Sequence, residues 1–247
     1  MEWQAPAIVL EARPHGEGGA IVELLTEEHG RHAGLAHGGA SRAQAGLWQR
    51  GNLVEARWTG RQAEHLGALR GEMVHPTAAL ALDERLTLAL LNAACALALD
   101  ALPEREPQPR VFSGLLALMA GLGRGAPALL ADYVRYEALL LESLGFALDL
   151  SACAVTGSRD DLTHVSPRTG RAVSRAAAEP YRDRLLPLPL FLQGGQDERD
   201  PAEWLKGLAL TGHFLARDLF GGRHRPVPAA RSRLVDRVAN LIPGAPA

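Results

Sequence analysis

The run Ala7-Ile8-Val9-Leu10-Glu11-Ala12-Arg13 leads through Pro14-His15-Gly16-Glu17-Gly18-Gly19 into Ala20-Ile21-Val22-Glu23-Leu24-Leu25-Thr26. It reads as two strands and a turn. In the first run Ile8, Leu10 and Ala12 face one side and Val9, Glu11 and Arg13 the other, the period of two of a half-buried strand. Pro14, Gly16, Gly18 and Gly19 supply the fixed and positive φ angles of a tight reversal. Working outward, Glu27-Glu28-His29-Gly30 is a second turn, and Arg31–Ala36 a third strand. Gly51–Gly60 alternates again, with Val54, Ala56 and Trp58 opposite Leu53, Glu55 and Arg57, and Leu66–Val74 is a fifth segment. Short strands punctuated by glycine fit a five-stranded OB-fold barrel over residues 1–78, with an open sheet as the competing arrangement.

Beyond Thr77 the period lengthens, so the fold class is α+β. Helical patterns cover Asp83–Leu99, Val111–Leu122 and Pro127–Leu144. Asp200-Pro201-Ala202-Glu203 has the spacing of a capping box with proline in the first turn. Behind it Leu205, Leu208, Gly212, Leu215 and Leu219 form one stripe, and Arg231–Ile242 is the last helix. These segments predict a helical domain over 79–149 and 193–247, interrupted by a loop-rich insertion over 150–192.

The 247 residues are 47% apolar and 22% charged, which suits packed domains and excludes wholesale disorder. Cys95 and Cys153 are too few for a disulfide framework or a four-cysteine zinc site. Leu86–Leu99 is too short for a bilayer-spanning helix, and no basic segment precedes Ala7-Ile8-Val9-Leu10, so a cytoplasmic protein is expected. Lys and Arg number 26 against 28 acids, a net charge of −2 that does not advertise a nucleic-acid binder. The sum hides an uneven distribution. Arg159, Arg168, Arg171, Arg175, Arg182 and Arg184 mark the insertion; Arg217, Arg223, Arg225, Arg231, Arg233 and Arg237 mark the C-terminal helices. Guanidinium forks suit phosphate, whereas a solvated face with local ion pairs is the plainer reading.

Trp3, Trp48 and Trp58 fall in the barrel, where stacking on aromatics along a basic groove would hold single strands. Arg31, Arg42, Arg50 and Arg57 are available to line that groove. Trp58 shares a face with Val54 and Ala56 and reads as core; Trp48, in the loop Gly46–Gly51, reads as a stacking platform or a packing residue. His15, His29, His32, His37, His65 and His75 lack metal-ligand spacing and read as turn or edge residues. Neither a Gly-x-Ser-x-Gly elbow nor a phosphate loop occurs, so no catalytic constellation is visible and an enzyme is not expected.

Taken in order, the motifs resemble the RecO family of bacterial recombination mediators. Met1-Glu2-Trp3-Gln4, Arg13-Pro14-His15-Gly16-Glu17, Leu24-Leu25-Thr26-Glu27-Glu28-His29-Gly30-Arg31 and Gly38-Gly39-Ala40-Ser41-Arg42 are similar to its N-terminal barrel. Arg135-Tyr136-Glu137 with Leu144-Gly145-Phe146 resembles the central helix. Leu148–Cys153 and Ser166-Pro167-Arg168-Thr169-Gly170-Arg171 resemble the two sides of a zinc-ribbon-like insertion, and Leu219-Phe220-Gly221-Gly222 the C-terminal helices. The likeness departs from the family at the zinc site. Only Cys153 remains, with Thr156 where a second cysteine would stand and Ser174 in the return, so no metal and no cofactor are expected.

The resemblance implies a non-enzymatic protein that binds single- and double-stranded DNA. It would anneal strands coated by single-strand-binding protein and help RecR load RecA. For DNA it points to Arg13, Arg31, Arg42, Trp48 and Arg57 on the barrel, Arg168, Arg171 and Arg175 on the insertion, and Arg223 and Arg225 after Gly222. For the acidic C-terminal tail of single-strand-binding protein it points to Arg135 and Leu139, a guanidinium beside an apolar floor, against an ordinary surface pair of Arg135 with Glu142 or another surface acid. The competing classes are a scaffold whose barrel binds peptide without nucleic acid, and a metal-dependent hydrolase built on the barrel histidines. Acids neutralising the arginines one by one would remove the DNA reading.

Overall fold

The N-terminal sheet has strands β1 (Glu2–His15), β2 (Gly19–Thr26), β3 (Gly30–Ala36), β4 (Leu53–Thr59) and β5 (Gly67–His75). The computed structural model describes residues 1–62, 66–195 and 199–242. β1 is long enough to serve two neighbours, pairing with β4 from Glu2↔Thr59 to Ile8↔Leu53 and with β2 from Ala7↔Thr26 to His15↔Gly19. The order β1-β2-β3-β5-β4 closes as a barrel, which removes the open sheet as an alternative. The closure is thin at one seam. β3 and β5 run parallel and pair only at Gly34↔Gly67, Leu35↔Ala68 and Ala36↔Leu69.

The expected alternation along β1 is broken by a bulge between Val9 and Glu11. The interior therefore receives Ala7 and Val9, then Ala12, and not Ile8, Leu10 and Ala12 as one row. Arg50 holds the bulge: its Nε donates to the Leu10 carbonyl at 2.7 Å, and its other nitrogens reach Asn92 and Glu11. Ile8 and Leu10 are nonetheless buried, because α1 (Arg85–Ala101) packs on β1. That helix buries Leu90, Leu91, Ala94, Leu97 and Ala98 on nearly every side, which explains a sequence that is apolar but for Thr87, Asn92 and Asp100 after its first residue. No helix among the described residues is long and apolar enough to cross a membrane.

α2 (Pro109–Gly121) follows, and the chain divides into units Met1–Gly125 and Ala126–Ala247. In this division α1 and α2 group with the barrel, α1 through its packing on β1. The second unit has α3 (Leu130–Ser143), a small sheet of β6 (Leu162–Val165), β7 (Ala172–Ser174) and β8 (Leu186–Pro187), the single turn α4 (Arg175–Ala178), α5 (Pro201–Phe214) and α6 (Ala229–Ala239). The sheet order is β7-β6-β8, the short strands expected of the insertion.

Asp200 caps α5 by accepting from the Ala202 N–H at 2.8 Å. Glu203 does not complete the expected box. It is buried and accepts from the Leu190 N–H at 2.9 Å, tying the preceding turn to the helix. The buried stripe of α5 is Trp204, Leu208, Thr211 and Leu215, with Leu205 and Gly212 at its margin, and a π-helical turn over Leu215–Phe220 ends it.

Candidate nucleic-acid interface

Two loops meet at one end of the barrel, where the Ala40 N–H donates to the Gly18 carbonyl at 3.1 Å. This contact joins the β1–β2 turn, beside Arg13, to the loop that carries Arg42. Arg13 is mostly exposed and touches Glu11 at 3.4 Å. Arg42 is exposed, and no carboxylate pairs with it among the described residues. Arg57 also lies outside, paired with Glu2, but its neighbours across the strands are Arg70 and, one step along, the acid pair Glu55↔Glu72. Phosphate there would meet acids as well as arginines.

Arg31 and Trp48 correct the sequence reading. The Arg31 side chain is only 14% exposed, holds Glu23 at 2.9 Å and Glu104 at 3.3 Å, and donates from Nε to the Leu102 carbonyl at 3.1 Å. Its guanidinium fastens β3 to the loop after α1 and is spent. Gly30 beside it, at φ +64°, sits so close to the Glu106 backbone that a Cβ has no room. Trp48 is buried in the barrel core against Gly71, where a Cβ would lie 2.6 Å from its ring, so it offers no open face for a base. Trp58 is core as expected, its Nε1 donating to the Ala33 carbonyl at 3.1 Å.

The barrel histidines do not converge on a metal. Among the described residues no group of three or more His, Cys, Asp or Glu could hold one; His65 lies outside those residues. His32 is not an edge residue but is buried between rings, edge-on to Trp58 at 4.9 Å and to Trp3 at 5.3 Å, while His29 stacks on Trp3 at 4.6 Å. Burial, then the charge of Arg105, holds the His32 ring below its ordinary pKa.

In the second unit the β6–β7 turn carries Arg168 at its tip, exposed and without a carboxylate partner among the described residues. Arg171 pairs with Asp149 at 3.4 Å and Arg175 with Asp161 at 3.1 Å, the first pair about half exposed and the second more so. Arg217 joins this turn by donating to the Pro167 carbonyl; it also lies over the Phe214 ring at 4.9 Å and grips Asp218. Arg223 and Arg225 are exposed after α5, each with partners of its own. Exposed single pairs of this kind hold by about 0–1 kcal/mol, so a phosphate can displace the acid. Neutralisation is therefore widespread, and at Arg31 it is firm.

The match to known families also has two parts, divided near residue 78, where the sequence reading put the end of the barrel. Residues 1–77 match the pattern described as Recombination protein O N terminal, and residues 82–226 the one described as Recombination protein O C terminal. The chain belongs to the RecO family. It is 57% identical to the DNA repair protein RecO of Gluconacetobacter diazotrophicus, covering 99% of this chain and 98% of the relative. To the DNA repair protein RecO of Granulibacter bethesdensis it is 52% identical over 98% and 97% of the two chains, and to that of Rhodospirillum centenum 55% over 96% and 94%. These names place the family in DNA repair and recombination.

Within that family frame the insertion is held without a ribbon of thiols. The Cys153 Sγ accepts from the Ser174 N–H at 3.2 Å and from its hydroxyl at 3.4 Å. Burial pushes this thiol up, but the Ser174 and Thr156 donors outweigh it and bring it down to about 6. Arg135 pairs with the surface acid Asp132 at 2.9 Å, and it donates to the Phe191 carbonyl at 2.9 Å while lying 5.5 Å from that ring's centroid. Leu139, one turn on along α3, is half-buried.

Sequence reasoning missed one centre altogether. Arg231, counted among the phosphate-suited arginines, is buried on α6 and grips the fully buried Glu137 of α3 through Nε at 2.7 Å and Nη2 at 2.9 Å. Thr211 of α5 donates to the same carboxylate, and the Leu208 carbonyl accepts from Arg231 at 2.6 Å. No local signal announces a pair separated by 94 residues.

Proposed function

We propose that this protein is a non-enzymatic recombination mediator that binds single- and double-stranded DNA, anneals strands coated by single-strand-binding protein, and helps RecR load RecA. In this reading the barrel is an OB-fold and the work is done in the cytoplasm by charge and position, with no bond made or broken. The observation that carries it is the likeness to curated DNA repair proteins along nearly the whole chain. The barrel order β1-β2-β3-β5-β4 supports the OB-fold assignment. The exposed arginines support DNA contact at two places: Arg13 and Arg42 at one end of the barrel, and Arg168 with Arg171 and Arg175 around the β6–β7 hairpin. Arg223 and Arg225 add a third. Arg135 with Leu139 on α3 is the proposed dock for the acidic tail of single-strand-binding protein, the half-buried Leu139 giving the apolar floor and the buried Phe191 ring backing the guanidinium.

Annealing of complementary oligonucleotides precoated with single-strand-binding protein tests the reading. Addition of the chain should speed duplex formation, and Arg135→Glu should remove most of the gain on coated strands while sparing naked ones. Equal annealing with and without the chain would overturn it. A scaffold that never touches nucleic acid is favoured by the carboxylate partners of Arg13, Arg57, Arg171 and Arg175. A gel shift at low salt separates the two, because a phosphate binder is retained there and a scaffold is not.

A further inference from the structure

β5 has an open edge. β3 leaves it after Leu69, yet β5 continues to His75, paired over Arg70–His75 with β4 alone among the described residues. A groove of about 590 Å³ lies against this strand, lined by Arg70, Gly71 and Glu72, by Glu55 and Arg57 of β4, and by His37, Gln44 and Trp48. The Trp48 Nε1 is buried and has no partner among the described residues. On the outer face Arg70 and Glu72 follow in one row and are exposed; a register shift against β4 then pairs Met73 with Val54 and His75 with Leu53, leaving Val74, also exposed, out of that row. An exposed strand edge of this kind is a template for another strand, which natural proteins cover unless they use it.

The charges along the edge are unbalanced within the sheet. Arg70 faces Arg57 across β4, and Glu72 faces Glu55, so like charges stand directly opposite each other twice. Neither Arg70 nor Glu72 has an ion-pair partner among the described residues. A strand added on the other side of β5 can supply both missing countercharges. We propose that this edge binds an extended peptide by strand addition, the peptide placing an acidic side chain opposite Arg70 and a basic one, two residues away, opposite Glu72. Alternate backbone N–H and C=O groups of Arg70–Met73 complete the ladder, up to the register shift at Val74.

Other occupants fit less well. Nucleic acid would bring phosphates against Glu55 and Glu72. A second copy of β5, antiparallel about a two-fold axis, sets Arg70 against Glu72 only when the axis falls on Gly71. That register requires the edge of Leu69, which Ala36 already holds; an axis on Glu72 sets that acid against itself. The proposal goes beyond the DNA-handling reading and does not depend on it.

Fluorescence anisotropy with labelled peptides of alternating Thr and Val tests it. One pair of probes carries Glu and Lys two residues apart, in both orders; a second peptide carries two Glu and a third two Lys. The wild-type protein should prefer one Glu/Lys probe. Arg70→Glu should transfer the preference to the two-Lys peptide, and Glu72→Lys to the two-Glu peptide, each by roughly tenfold in Kd. Both substitutions are on exposed side chains, and unchanged melting curves confirm folding. N-methylation of alternate peptide residues should abolish binding in one phase and spare it in the other. Failure of all the probes to bind, binding indifferent to charge order and methylation, an edge closed by dimerisation in sedimentation, or displacement of the peptide by a short single-stranded oligonucleotide acting through Arg70 would each overturn the proposal.

Discussion

Replacing Arg31 with methionine keeps its apolar stem and removes its charge. Glu23, itself 7% exposed, then loses the cation held at 2.9 Å, and the Leu102 carbonyl loses its donor. Stripping one partner from a buried pair costs about 3–5 kcal/mol, and the more exposed Glu104 limb keeps the figure near about 3 kcal/mol. An unfolding entropy of roughly 2.1 cal/mol/K per residue over the 125 residues of the first unit converts this into a midpoint lowered by about 11 °C. The double substitution Arg31→Met/Glu23→Met should regain most of that loss, because a matched apolar pair leaves no orphan charge. Calorimetry gives the midpoints, and DNA titrations at several salt concentrations on the same proteins give the slope of log K against log salt. The slope should not change with Arg31→Met. A variant that melts like the wild type but binds DNA with a flatter slope would show that Arg31 faces phosphate and would refute the reasoning.

Further substitutions probe the packing. Glu137→Leu strands the buried Arg231 and should cost about 3–5 kcal/mol in the second unit by chemical denaturation, with most of it restored by Arg231→Met in the same chain. His32, faced by His29, Arg105 and Glu104, titrates below its ordinary value of 6.5 in the folded barrel. Below that pH the unfolded chain binds the proton more readily. Barrel stability should therefore be full above pH 6.5 and decline as pH falls through the lowered value, and His32→Phe should flatten this part of the melting-temperature profile. Trp48→Ala should destabilise the barrel by about 3–5 kcal/mol through the cavity it leaves, whereas Trp48→Phe should bind single-stranded DNA like the wild type in anisotropy titrations.

The strands and helices were legible because alternation and period are local properties. The hairpin from Ala7 to Thr26, the Trp58 face and the cap at Asp200 all follow from neighbours in sequence. Where a distant partner decides, the sequence is silent. The bulge at Leu10 depends on Arg50, and it reverses which side of β1 lines the barrel. Arg31 is claimed by Glu104, 73 residues away, and Glu203 leaves its capping position for the N–H of Leu190. Composition counted Arg231 with the surface arginines, yet it is the most deeply held of them. Trp48 had the turn-rich context of a surface loop, and only the gap left where β3 and β5 part draws it inward. The apolar run of α1 fitted a buried helix, but not the surface it would cover.

DNA handling by the arginines that acids leave open is tested most directly by the salt dependence of binding to a short duplex. Arg42→Gln/Arg168→Gln removes two exposed guanidinium groups without a described carboxylate partner, and the slope of log K against log salt should flatten by about 1.8, near 0.9 per lost phosphate contact. A slope identical to that of the wild-type protein across the titration would contradict the account.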